Sequence, residues 1–286
     1  MAISARIPSG LSTDKFIPAL YSKNVLFALK SNLVVVPKVN HSYEAELTMG
    51  DTLYIPRSQI VTATEVTVGT EGAQADPTTT GITLTIDKWF ERPYTVDYMS
   101  RRQSHVNLVA LAEVESAYAI SKKIDSTLCD LFSALGSVAG VKGTSGSAWT
   151  DDVLIACVEV LDEGDVDEAN RVWIADPSTK ADIMGIDKFV RADYFASDAI
   201  PTGGFRKDIY GAPLLTTNNL TAHASLAGAY GVYMHRDALA IVIQEDMSVD
   251  RVEQPLKHQI VINTTALWGV AEIRDIAGVA IHTRLA

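Results

Sequence analysis

Long apolar runs are missing from this chain. No stretch approaches the ~20 consecutive apolar residues that a membrane-spanning helix needs, so no membrane span is expected. The first ten residues, Met1 to Gly10, lack the apolar centre of a signal peptide. The protein is therefore expected to be made in the cytoplasm and to stay soluble. Cysteine is scarce. The two present, Cys129 and Cys157, fit neither a metal-ligand spacing nor a disulfide framework. Cys129 lies among Leu128, Leu131 and Phe132, and Cys157 beside Ile155 and Val158, so both read as buried, inert thiols. Basic clusters are missing too. The chain has 24 Lys+Arg against 35 Asp+Glu, a formal net charge of −11, and its densest basic spots are only Arg101-Arg102 and Lys122-Lys123. Gripping a nucleic-acid backbone needs clustered cations that displace counterions, which argues against sequence-specific nucleic-acid binding.

Motifs that carry chemistry are equally sparse. No pair among the six histidines, His41, His105, His223, His235, His258 and His282, has the HExxH or HxH spacing of a metal site. The acidic run Asp162-Glu163-Gly164-Asp165-Val166-Asp167-Glu168 lacks the ligand order of a calcium loop and reads as a solvated helix end. Ser12 and Lys15 match a Ser-x-x-Lys spacing, but no companion motif supports them. There is no GxGxxG and no P-loop. No catalytic residue, cofactor or metal is expected, and the chain reads as a non-enzyme.

What the chain does have is length and pattern. Its 286 residues, 47% apolar and 21% charged, suit one large folded domain or two intergrown ones. Residues 1–50 read as an arm broken by Pro8, Pro18 and Pro37, with a short helix over Phe16 to Leu29 whose Phe16, Leu20 and Phe27 share a face. Thr52 to Pro56 reads as a strand. Val61 to Val68 and Thr78 to Phe90 are Thr- and β-branched-rich runs flanking the turn-rich Gly69 to Pro77, which predicts a long hairpin. Its apolar residues, Val66, Val68, Ile82, Leu84 and Ile86, pack either on the protein's own sheet or on a neighbouring subunit. From Ser104 to Leu135 there is neither Pro nor Gly, and Ile120, Ile124, Leu128, Leu131, Phe132 and Leu135 follow helical spacing. A helix of that length, capped by Ser104 or Asn107 and ended by Gly136, would run roughly 45 Å. Thr150 looks like the N-cap of a helix ending at Gly164. Arg171 to Ala175 is a strand, and Asp176-Pro177 opens another helix. The last third reads as strands, at 208–216, 230–234, 240–244, 260–270 and 279–283.

The order of these parts resembles the major capsid protein of tailed bacteriophages with the phage Hong Kong 97-type fold. Local pieces are similar as well: Gly50-Asp51-Thr52 before Tyr54-Ile55-Pro56, Arg171-Val172-Trp173-Ile174-Ala175-Asp176-Pro177, Ile209-Tyr210-Gly211-Ala212-Pro213-Leu214, and Tyr233-Met234-His235-Arg236-Asp237-Ala238-Leu239. The resemblance implies an α+β fold in four parts. These are an N-terminal arm over 1–50, an extended β-hairpin loop over 51–98, a peripheral domain with the spine helix over 99–146 and 243–269, and an axial α/β domain over 147–242 and 270–286. It implies a coat protein that self-assembles as pentamers and hexamers into an icosahedral shell around double-stranded DNA, without sequence-specific binding. It further implies a separate scaffolding protein, a portal, and a place in the virion after assembly in the host cytoplasm. On this reading Val66, Val68, Ile82, Leu84 and Ile86 of the loop, and Phe16, Leu20 and Phe27 of the arm, contact other subunits. The loop departs from cross-linking members of the family: Val61 to Ile86 contains no lysine, and Lys88 lies only at its base. Two other readings stay open, an encapsulin-like compartment with the same fold and a cytosolic α/β enzyme.

Overall fold

The computed structural model describes residues 33–47, 49–58, 63, 65, 69, 80–104, 106–137, 140–190, 208–223 and 227–284. Phe16, Leu20 and Phe27 of the expected arm, and Val66 and Val68 of the expected loop, lie outside the described residues. Strand β1 (Thr52–Arg57) pairs antiparallel with β2 (Thr80–Thr85), Leu53 opposite Leu84 and Ile55 opposite Ile82. The expected second hairpin strand, Thr78 to Phe90, divides in two. Beyond Thr85 the chain leaves the hairpin, and β3 (Lys88–Asp97) pairs instead with β9 (Gln259–Glu272). Pro93 sits inside β3 without harm, because β3 is an edge strand and its missing N–H can face outward.

After the short helix α1 (Tyr98–Gln103) comes the spine, α2 (Leu108–Asp130). Its 23 residues span about 35 Å, shorter than the sequence suggested. The reason lies at both ends. Ser104 closes α1 rather than opening the spine, and Asn107 is the cap, its side chain accepting from the Ala110 N–H at 3.3 Å. At the far end the chain tightens into a 3-10 turn at Leu131–Ser133 before Gly136, whose φ is +73°. Val109, Ala112, Ser116, Ile120, Ile124 and Leu128 form the buried stripe at helical spacing. That stripe covers one face of a three-stranded antiparallel sheet, ordered β3, β9, β8 (Leu239–Gln254). Alternation decides which side chains meet it. Along β9, Ile260, Ile262, Thr264, Ala266 and Trp268 are buried, with Ser116 Oγ 2.8 Å from Thr264 Oγ1 and Phe90 stacked on Trp268.

Strand β8 is much longer than the 240–244 expected. Its second half is rich in charge and largely exposed, so it shows none of the apolar alternation that marks a half-buried strand. It forms the outer edge of the sheet, where charge is tolerated and blunts edge pairing.

The second sheet is mixed and five-stranded, ordered β10 (Gly278–Thr283), β7 (Ala229–His235), β4 (Arg171–Ala175), β6 (Ala212–Thr216), β5 (Asp208–Ile209). Every residue of β4 is buried, as a central strand covered on both faces requires. Val172 and Ile174 point to the core shared with the spine, whereas Trp173 and Ala175 point to a second core under α3 (Asp151–Glu163) and α4 (Pro177–Met184). In that second core Trp173 stacks on Tyr233 with centroids 3.8 Å apart. Asp176 caps α4 as its sequence implied, accepting from the Ser178 N–H at 2.9 Å. Thr150 does not cap α3 with its side chain. Gly164 caps the end of that helix, its N–H donating to the Val160 carbonyl at 3.1 Å, and a Cβ there would stand 2.3 Å from Ile276 Cγ2.

Candidate assembly surface

The hairpin lies against the body at its root. Leu53, Ile55, Ile82, Leu84 and Ile86 pack around Leu47, Ala240, Val242 and Ile273 of the same chain. Leu84 is 0% exposed. The side chain of Leu84 is therefore buried against its own subunit, and Ile82 and Ile86 line the same cluster. The period-2 pattern marked a face that looks inward at Leu84, which leaves that residue no surface for a neighbour, while Ile82 and Ile86 are half-buried. The outward face carries Tyr54, 74% exposed, opposite Thr83. The hairpin root crosses β9 where only glycine fits, for a Cβ on Gly269 would come within 2.4 Å of the Thr85 carbonyl oxygen.

Beyond that crossing, the face of the β3–β9–β8 sheet turned away from the spine has no cover among the described residues. Trp89 stands on it 73% exposed, opposite half-buried Leu267. Val252, half exposed, is paired with Val261 on the same face. Polar pairs run between them: Asn263 Nδ2 donates to Glu91 at 3.1 Å, and the Ser248 and Thr265 hydroxyls lie 2.9 Å apart. A sheet with one helix-covered face and one face of mixed aromatic, aliphatic and hydrogen-bonding groups can bind another protein surface.

Several of the groups weighed for chemistry are engaged in structural contacts among the described residues. Asp162, from the acidic run, pairs at 2.7 Å with the buried guanidinium of Arg171, which also donates to the carbonyls of Val166 and Asp167. Burial pushes the Cys157 thiol up to about 12, with Lys142 opposing weakly. Burial, then the charges of Asp125 and Asp130, raises Cys129 too. Neither thiol is a thiolate near neutrality. A shallow groove of about 710 Å³ along α3 is lined by Ile155, Val158, Glu159, Asp162, Glu163 and Tyr210. The Tyr210 hydroxyl is engaged by Asp151 and, at 2.7 Å, by Lys188. Among the described residues no three His, Cys, Asp or Glu side chains converge as a metal site would need. None of the described helices is long and apolar enough to cross a membrane.

Sequence reasoning missed the anchor of the chain's early segment. Asp125, buried in the middle of the spine, accepts from the Val35 N–H at 2.9 Å and from Asn219 Nδ2 at 3.0 Å. The only signal was an acid interrupting an apolar stripe.

No protein-family model matches the chain, and no curated protein does. Solved structures do match it in shape. A structure of Mycobacterium phage Che8 superposes with a TM-score of 0.77 at 22% identity, over 93% of this chain and 97% of that one. The capsid structure of the cyanophage P-SCSP1u gives 0.74 at 14% identity, over 99% and 100%. The mature capsid of bacteriophage PhiM1 gives 0.69 at 14%, over 94% and 93%. The fold is the phage capsid fold. It embraces nearly the whole chain, including both sheets and the spine. In this chain β8 and β9 return late in the sequence to flank the spine laid down by residues 108–130.

Proposed function

We propose that the chain is the major capsid protein of a tailed bacteriophage, assembling as pentamers and hexamers into an icosahedral shell around double-stranded DNA. The observation that carries this reading is the end-to-end match to phage capsid structures over more than nine-tenths of both chains. The bare sheet face bearing Trp89 and the outward hairpin face bearing Tyr54 supply surface for contacts between copies. Shells hold by many repeated contacts of modest strength, and overlapping elements multiply the area each subunit buries. The net charge of −11 suits a wall that contains DNA without gripping it.

The four-part division belongs to the same proposal. The boundary between peripheral and axial units, at 242/243 and 269/270, cuts β8 and β9 at directly paired residues, Val242 and Gly269. A structural and non-catalytic role, a place in the virion, and partnership with a separate scaffolding protein and a portal follow from the reading. Electron microscopy of the purified protein, with size-exclusion chromatography and any co-encoded scaffold, tests it. Closed shells or rings of five and six are expected. A compact monomer under every assembly condition would overturn it.

A further inference from the structure

Two histidines from distant parts of the chain meet at the edge of the five-stranded sheet. His282 lies on the edge strand β10, in register with Tyr230 of β7. His223 ends a segment that pairs with the start of β7, Ala222 opposite Ala229, and its N–H donates to the Gly228 carbonyl at 2.9 Å. Nδ1 of His282 stands 3.1 Å from Nε2 of His223, with the ring centroids 4.9 Å apart. Tyr230 packs on both rings, its centroid 3.9 Å from that of His223 and 5.7 Å from that of His282. The same segment is tied to the spine: Asn219 donates to Asp125 at 3.0 Å, and the Thr221 hydroxyl to Asp130. Residues 219–223 therefore bridge the end of the spine to the sheet edge, and the two imidazoles make the joint at that edge.

Two ring nitrogens at hydrogen-bonding distance need one proton between them. A neutral imidazole carries its proton on one nitrogen and leaves the other bare. Nδ1 of His223 is buried with no hydrogen-bond partner among the described residues. A proton there would be a stranded donor, so the proton of His223 belongs on Nε2, which donates to the bare Nδ1 of His282. A further proton breaks this arrangement wherever it lands. On Nδ1 of His282 it would face the His223 donor, and on Nδ1 of His223 it would be buried without an acceptor. We propose that the His223–His282 pair is an acid-released latch, closed while both imidazoles are neutral and opened when either takes up a proton, which frees residues 219–223 from β10.

The surroundings offer an extra proton no compensation. His41 and His235 face the carboxylates of Glu44 and Asp237, whereas among the described residues neither ring of this pair forms an ion pair. Of the charged groups nearby, Asp130 accepts from Thr221, and Arg284, two residues beyond His282, pairs with Asp182 of α4. Lys142, whose carbonyl accepts from the His282 N–H at 2.9 Å, lines a cavity of about 370 Å³ with Glu163 and Asp275. The turn Leu131–Ser133, packed on β7 and β10, carries no charge, and Ala224, Ser225 and Leu226 add no titratable side chain. Trp149 contributes only an N–H to the His282 carbonyl, at 3.0 Å. Burial, then the charge of His223, lowers His282 below its ordinary 6.5. A histidine lowered on folding contributes stability that is full above 6.5 and is lost as pH falls through the folded value. Neutral solution closes the latch, and acid opens it. This rests on the chain's own geometry and holds with or without the shell reading.

Thermal unfolding from about pH 8 to about pH 5 tests the latch in the wild type and in the double variant His223→Gln/His282→Gln, whose amides can bond each other without titrating. The other histidines are common to both proteins and cancel. The wild type is expected to lose several degrees of Tm more than the variant as the solution acidifies. Parallel curves for the two proteins overturn the proposal. Nitrogen NMR of the imidazoles in the wild type gives a second reading that does not depend on the variant folding. In neutral solution it should show His223 protonated on Nε2, and on acidification His282 should take up its proton only below 6.5. A His223 proton on Nδ1, or a His282 midpoint at or above 6.5, also overturns the proposal.

Discussion

At the scale of single residues, buried polar groups do much of the positioning. Asp125 holds two partners from distant parts of the chain, the Val35 amide and the Asn219 side chain, at a site with no solvent to replace it. Replacing it with alanine strands both donors. Each buried unsatisfied group costs about 1–3 kcal/mol, so Asp125→Ala should lower unfolding free energy by roughly 2–4 kcal/mol. Urea titration measures this, and a loss under about 0.5 kcal/mol, the usual range for a surface change, would refute the anchor. Arg171 is a comparable case, its buried guanidinium paired with Asp162 in the last turn of α3. Neither role was legible beforehand, since a carboxylate in a helix or a loop looks the same whether it faces water or a buried partner 94 residues away, as Asp125 and Asn219 are.

Among elements, the crossing of the hairpin root over β9 is the tightest joint. Gly269→Ala would drive a methyl group into the Thr85 backbone, which cannot rotate away as a side chain could. Overpacking of this kind costs about 1–3 kcal/mol. The variant should therefore melt earlier while Gly81→Ala, whose Cβ would meet Ile55 O at an ordinary 3.4 Å, melts close to the wild type. Equal melting of the two variants would refute the crossing as the critical approach. The elements themselves were legible to different degrees. The spine, β4, α4 and β9 announced themselves by period, caps and β-branched runs. Strand β8 did not, because a charged edge strand carries no apolar alternation. Strand β3 was absorbed into the hairpin, because no Gly or Pro between Ile82 and Phe90 marks that the chain changes partners after Thr85.

For the whole molecule, the open sheet face is where the proposed shell meets its folded subunit. Trp89 is largely exposed and contributes little to its own core, so Trp89→Asp should leave the melting temperature of the subunit within a few degrees. The same change puts a charge in the centre of a proposed contact, where losses reach about 2 kcal/mol or more per interface. Repeated around a shell, that should abolish assembly, with the protein eluting as a subunit in size-exclusion chromatography. Shells that form as readily as those of the wild type would remove this face from the contact.

The sequence by itself determined the class of the molecule: an acidic α+β protein with a long spine helix, a β-branched hairpin, few reactive groups and a capsid-like order of parts. These follow from local periodicity and composition, which act within a few residues of each position. Only the tertiary structure decided which way each apolar face turns. Ile82, Leu84 and Ile86 form a good strand face in any setting, and nothing local distinguishes their own subunit from a neighbour. The same holds for Asp275 in the turn before β10. The Asp275 carboxylate accepts from Ser137, which the chain lays down 138 residues earlier, and only folding brings the two together.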